Sequence, residues 1–185
     1  AGQEKDYPAK AHRAAFELIL KNNVNSTVHA GEAFGPASIS QALHYCGAHR
    51  IGHGTQLRED RDLLQYVNDH RIPLEMCLTS NLQTGAVRNI REHPLGFYFR
   101  QGLRVTVNTD SRLVSDTTVT DEILLAARAF RLSPYEIKRL IINGFKSSFL
   151  PYAVKARRLR EVNLEIDRIF MEEFPDDYDR RLISF

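Results

Sequence analysis

Cysteine is nearly missing from this chain: Cys46 and Cys77 are the only two in 185 residues, and they do not form a Cys-x-x-Cys pair. Two thiols cannot build a disulfide scaffold, and such sparing use suits a reducing compartment. Cys46 follows the apolar Ala42 and Leu43, and Cys77 lies inside an apolar run, so both read as buried, unreactive thiols. An excess of one charge is missing too. Lys and Arg number 25 against 23 Asp and Glu, a net charge of +2, which gives no broad attraction to nucleic acid or to an anionic membrane. No window approaches the ~20 apolar residues of a membrane span, and the N-terminus lacks the charged-then-apolar layout of a secretory signal. The expectation is a cytoplasmic protein whose partners are chosen by a site rather than by its overall charge.

What is present is enough apolar material, 43% of residues, to bury the core of one domain. Residues 8–22 carry Ala11, Ala14, Ala15, Leu18 and Ile19 at helical spacing and close on the Asn22-Asn23 breaker. Residues 26–32 read as a strand, and Pro36 opens a helix that ends at Gly47. The alternation repeats. A strand over residues 50–55 precedes helical spacing over 57–69, and a nearly continuous apolar strand over 74–81 fits a parallel sheet buried on both faces. A helical stretch over 87–101, interrupted at His93-Pro94, leads to a fourth strand over 104–110. The remainder is helical. Thr118 to Glu122 resembles a capping region, and Ser133, Pro134 and Glu136 take the N-cap, N1 and N3 positions of another helix. On the last helix Lys155, Arg157, Arg158, Arg160 and Arg168 alternate with Glu161, Glu165, Asp167, Glu172 and Glu173, the pattern of a solvated face.

His29, His53, Cys77 and Asp110 mark the four strands at intervals of 24, 24 and 33 residues, a cadence suited to right-handed βαβ crossovers. In each unit the chemically able residues cluster at the carboxyl end of the strand, where (β/α)8 barrels carry their active sites. The inventory at that rim is His29, Glu32, His53, Thr79-Ser80-Asn81 and Asp110. His29 and Asp110 are plausible zinc ligands and Glu32 an acid or base beside them, but a catalytic zinc takes at least three protein ligands. The sequence contains no His-x-His pair to complete the set. His12, His44, His49, His70 and His93 read as surface or structural residues. Four β/α units make half of a barrel, for which ~250 residues are usual.

Five stretches, in order, carry a resemblance: Ala1-Gly2-Gln3-Glu4, His29-Ala30-Gly31-Glu32, Arg50-Ile51-Gly52-His53-Gly54-Thr55, residues 77–85 (Cys-Leu-Thr-Ser-Asn-Leu-Gln-Thr-Gly), and Val107-Asn108-Thr109-Asp110. A sixth follows at residues 143–149. The chain resembles the C-terminal half of an adenosine deaminase, in the amidohydrolase group of zinc (β/α)8 barrels. The resemblance implies an α/β, TIM-type barrel to which residues 1–185 supply the end of strand 4 through strand 8 and the C-terminal helices, with the N-terminal half lying on another stretch of polypeptide. It implies Zn2+, one per complete site, with His29 and Asp110 as ligands. Glu32 corresponds to the residue that protonates purine N1 and His53 to the histidine beside the attacking water, as base or electrostatic stabiliser. Gly2 matches the glycine whose backbone N–H meets purine N3, where a side chain would collide with the base.

The implied reaction is hydrolytic deamination of adenosine or 2'-deoxyadenosine to inosine or 2'-deoxyinosine and ammonia. Another 6-aminopurine is the alternative substrate, and a catalytically inactive binding or assembly domain the alternative role. The implied partners are a small purine nucleoside and the missing half of the barrel. One departure bears on the substrate: many family members carry a second aspartate after the metal-binding one, and here that place is Ser111. Serine can donate to an unprotonated N7 but cannot accept a proton as a carboxylate does.

Overall fold

The computed structural model describes residues 4–175. Four strands, β1 (Thr27–Ala30), β2 (Arg50–His53), β3 (Leu74–Met76) and β4 (Val105–Val107), form one sheet in that order. Every neighbouring pair is parallel. The helices are α1 (Arg13–Lys21), α2 (Pro36–His44), α3 (Arg61–Asp69), α4 (Leu78–Gln83), α5 (Leu95–Arg100), α6 (Arg112–Ser115), α7 (Val119–Phe130), α8 (Pro134–Ser147) and α9 (Tyr152–Glu173). Consecutive parallel strands must be joined by crossovers that return the chain to its starting side, so all four strands end on the same rim.

The sheet is short but dry. Ile51, Leu74, Met76 and Val105 are fully buried and pack with Ile39 of α2, Leu78 of α4, Leu95 and Tyr98 of α5 and Leu140 of α8. Burying each such aliphatic side chain contributes about 1.5–3 kcal/mol. Asn143 of α8 donates to the carbonyl of Val105 at 3.1 Å, tying the long helix to the last strand. Cys46 and Cys77 are buried and free.

Strand β3 is shorter than the apolar run 74–81 predicts. It stops at Met76, and Thr79, Ser80 and Asn81 lie on α4 instead. The cause is a buried acceptor: Glu122 of α7, 1% exposed, takes the Thr79 N–H at 3.2 Å and the Thr117 hydroxyl at 2.9 Å. A carboxylate at a helix N-terminus satisfies an orphan donor and favours the dipole. The helix expected over 87–101 is two pieces, a 3₁₀ turn at Ile90–Glu92 and α5, separated at His93-Pro94 as the proline requires. The capping signals hold: Thr118 with Asp121 and Ser133 with Glu136 both close complete capping boxes. On α9, Arg158 pairs with Glu161 and Arg168 with Glu165 and Glu172, a solvated charged face. Among the described residues no helix is long and apolar enough to cross a membrane.

Candidate active site

Parallel register sets Ala30 of β1 beside His53 of β2 and His29 beside Gly52. The two imidazoles therefore meet at the strand ends, ring centroids 4.6 Å apart and edge to face. Past β1 the chain turns sharply at Gly31, φ 75°, a left-handed conformation that glycine adopts without steric cost. That turn brings Glu32 back over the rim. One of its carboxylate oxygens lies 3.8 Å from His29 Nε2 and the other 3.6 Å from His53 Nδ1. His29, Glu32 and His53 each offer a ligand atom within 4.8 Å of the others. Asp110 follows β4 and lines, with His29, His53 and Cys77, one cleft of about 380 Å3. It stands outside that tight trio, and Ser80 of α4 donates to its Oδ2 at 2.7 Å.

Both His53 (φ 67°) and Asp110 (φ 55°) sit in the left-handed region. Non-glycine residues are uncommon there, and such strain collects at functional sites. Ser111, next in sequence, is exposed at the start of α6. Gly2 lies outside the described residues.

Glu4, Asn81, Thr84 and His93, to none of which the sequence gave a specific role, hold this rim together. Glu4 reaches from the first described segment and accepts the backbone N–H groups of Gly31 at 2.6 Å, Glu32 at 3.1 Å and Ala33 at 2.7 Å. It also accepts the Ser38 hydroxyl and lies 3.4 Å from His29 Nε2. Burial alone would raise its pKa, but the bonds from His29, Ser38, Ala33 and Gly31 outweigh this and lower it from 4.5 to about 2. Asn81 donates to Glu32 Oε1 at 2.7 Å and meets His53 Nδ1 at 3.0 Å. His93, 3% exposed, places Nε2 3.1 Å from Asn81 Oδ1. Thr84 adds a hydroxyl to Glu32 Oε1 at 3.0 Å. The signal for Glu4 and Asn81 was present, since both fall in the motif stretches; their roles depend on contacts 28 and 49 residues away.

The electrostatics separate the two histidines. His29 is held more basic than usual, first by its hydrogen bond to Glu4 and then, against burial, by the charges of Glu4, Glu32 and Asp110. Burial, chiefly, makes His53 less basic, against the charge of Glu32. The Cys77 thiol is pushed up by burial and by Asp110, Glu122 and Glu75, so it is a poor nucleophile. Carboxylates outnumber cationic groups at the rim, and the nitrogen and oxygen donors suit a divalent metal of zinc's preference. The donor set of this rim thus fits part of a divalent-metal site.

The profile of the family described as adenosine deaminase matches residues 1–165. An adenosine deaminase from Mycobacterium sp. (strain JLS) is 46% identical over 163 residues, 82% of this chain and 45% of the relative. Among solved structures, an adenine deaminase from Arthrobacter aurescens superposes with a TM-score of 0.85 at 29% identity, covering 90% of this chain and 51% of its own. An amidohydrolase from Burkhoderia ambifaria with bound Zn shares the fold, with a TM-score of 0.83 at 19% identity over 91% of this chain and 47% of its own. The chain spans about half the length of the curated relatives it matches. Ordered motifs, a parallel sheet with its polar residues at one rim and the extent of these matches agree: the chain belongs to the adenosine deaminase family.

Proposed function

We propose that this chain is the C-terminal portion of a single (β/α)8 barrel, contributing the end of strand 4 through strand 8, and that the assembled barrel hydrolytically deaminates adenosine or 2'-deoxyadenosine. The observation that carries the reading is the convergence of His29, Glu32 and His53 within 4.8 Å, at the rim where Asp110 lines the same cleft. In parallel barrels that rim holds the chemistry. The N-terminal half of the barrel supplies the remaining metal ligands and pairs the outer edges of β1 and β4. Leu113 and Val114, 98% and 82% exposed on α6, are apolar surface that the rest of such a barrel would cover.

His29 and Asp110 would hold the zinc from this chain, which when bound supplies Lewis-acid activation of the attacking water at near-neutral pH. The chain's own residues do the rest. Glu32, oriented by Asn81 and Thr84, carries the proton to purine N1 so that negative charge does not build on the ring as C6 becomes tetrahedral. His53 faces the same reacting centre. Asp110, oriented by Ser80, holds its carboxylate toward the cleft. Gly2 gives N3 a backbone N–H, and Ser111 offers a hydroxyl donor at N7.

Adenine is the alternative substrate that an observation favours, because the Arthrobacter aurescens neighbour is an adenine deaminase of the same fold over 90% of this chain. Incubating the zinc-loaded full-length protein with adenosine, 2'-deoxyadenosine and adenine, and following the ultraviolet change on loss of the 6-amino group, decides between them. Fastest turnover of the nucleosides supports the proposal, fastest turnover of free adenine replaces the substrate, and no turnover of any purine removes the reaction. Protein free of bound zinc throughout would remove the cofactor.

A further inference from the structure

Beneath Glu32 and His53 runs a chain of hydrogen bonds whose polarity is set at its far end by the backbone. The amide N–H of Leu95 points at His93 Nδ1, 3.2 Å away. A backbone N–H can only donate, so Nδ1 of His93 is an acceptor and carries no proton. Burial, with the charges of Arg58 and His53, lowers the His93 pKa to about 4, so the ring is neutral near pH 7 and its one proton is on Nε2. That N–H faces Asn81 Oδ1 at 3.1 Å. The Asn81 amide is thereby oriented, its oxygen toward His93 and its nitrogen toward the site. The two hydrogens of Nδ2 have two acceptors waiting, Glu32 Oε1 at 2.7 Å and His53 Nδ1 at 3.0 Å. The reversed amide would set an oxygen against the Glu32 carboxylate and an N–H against the His93 N–H, two repulsive contacts in a buried place. Asn81 is fully buried, where unmatched polar contacts are costly.

We infer that Asn81 and His93 are positioning residues that lock His53 in its Nε2–H tautomer, with Nδ1 committed as acceptor to Asn81 and the ring proton on the nitrogen left for the cleft. His53 then enters the reaction as a hydrogen-bond donor. It stabilises oxygen charge at purine C6 from Nε2 and does not withdraw a proton there in its resting form. The same amide holds Glu32, so one buried side chain sets the orientation of both catalytic candidates. The inference deepens the proposed deamination and rests on it for the role of His53; the tautomer itself does not.

Two-bond 1H–15N correlation NMR of the full-length protein labelled with 15N-histidine reads the tautomer directly at neutral pH. The wild-type spectrum should show His53 with unprotonated Nδ1 and protonated Nε2. Asn81→Asp, which offers only acceptors, should place a proton on Nδ1. His93→Leu frees the amide to turn and should give a mixture, whereas His93→Gln keeps a donor toward Asn81 and should retain the wild-type pattern. A wild-type His53 protonated on Nδ1 overturns the inference without any variant, and so does a pattern unmoved by Asn81→Asp and His93→Leu. In the deamination assay His93→Leu should lower kcat about 10–100-fold, the usual effect of an outer orienting partner, with KM little changed and kcat restored by His93→Gln. A rise in KM at unchanged kcat would contradict the positioning role. If wild type turns over no purine while its spectrum shows the stated tautomer, the deaminase reading fails and the hydrogen-bond relay stands.

Discussion

Replacing Glu32 with glutamine preserves its size and its reach to Asn81 and Thr84 but removes the proton it would deliver. Glu32→Gln in the full-length enzyme should lower kcat about 10²–10⁴-fold, the typical contribution of a positioned general acid, with zinc content and thermal midpoint near wild type; steady-state kinetics and metal analysis check this. His93 makes a pH-dependent contribution to stability. Its pKa is lowered to about 4 in the folded protein from 6.5, so between these values the unfolded chain binds more protons and stability rises with pH. Stability should therefore fall as pH drops from 6.5 toward 4, by on the order of 3 kcal/mol. Urea denaturation of His93→Gln should show a flatter dependence in that window and no change of slope above it. Glu4 acts lower down. Its carboxylate, lowered from 4.5 to about 2, stabilises the fold above pH 4.5 and loses that contribution as the pH falls through about 2. Which residues were readable in advance follows from distance in sequence. His29 and Glu32 announce themselves because a histidine, a glycine turn and a carboxylate are neighbours. Asn81 shows itself only as a polar residue at the rim and His93 not at all, because what each does lies in partners 49 and 12 residues away.

At the scale of elements, the turn after β1 is the most exacting. A Cβ on Gly31 would lie 2.6 Å from Ile39 Cγ1 and 3.2 Å from the Gly54 backbone, at a φ of 75°, so Gly31→Ala combines backbone strain with a clash against α2. It should cost about 2–4 kcal/mol by denaturant midpoint and displace Glu32, lowering activity more than Ser133→Ala. That second variant removes only the N-cap of α8 and should cost about 1 kcal/mol with activity unchanged. Alternation of strands and helices was readable because apolar spacing changes between the two periods, and the caps at Thr118 and Ser133 because their partners lie three residues on. Helix α4 was not. Its six residues are too short for periodicity, its apolar lead-in resembles a strand, and the group that fixes its start, Glu122, arrives from α7.

On the scale of the molecule, a four-stranded parallel sheet with edges at β1 and β4 presents backbone donors and acceptors that a closed barrel would pair. The half-barrel reading predicts that residues 1–185 and the complementary half bind zinc tightly only together, since each brings part of the ligand set. Isothermal titration of each half and of their mixture measures this, and tight stoichiometric binding by residues 1–185 alone would contradict it. The parallel sheet, and the gathering of polar residues at one of its rims, were legible from the placement of His29, His53 and Asp110 at the ends of the first, second and fourth strands. The closeness of Glu32 to both imidazoles was not, because it depends on how far Glu4 draws the Gly31 loop inward. The central claim, that this rim deaminates a purine with Glu32 as proton donor, is tested most directly by comparing the zinc-loaded full-length wild type with Glu32→Gln on adenosine in an ultraviolet assay. The account predicts steady conversion to inosine by the wild type and near-complete loss in the variant; conversion at the same rate by both, or by neither, would contradict it.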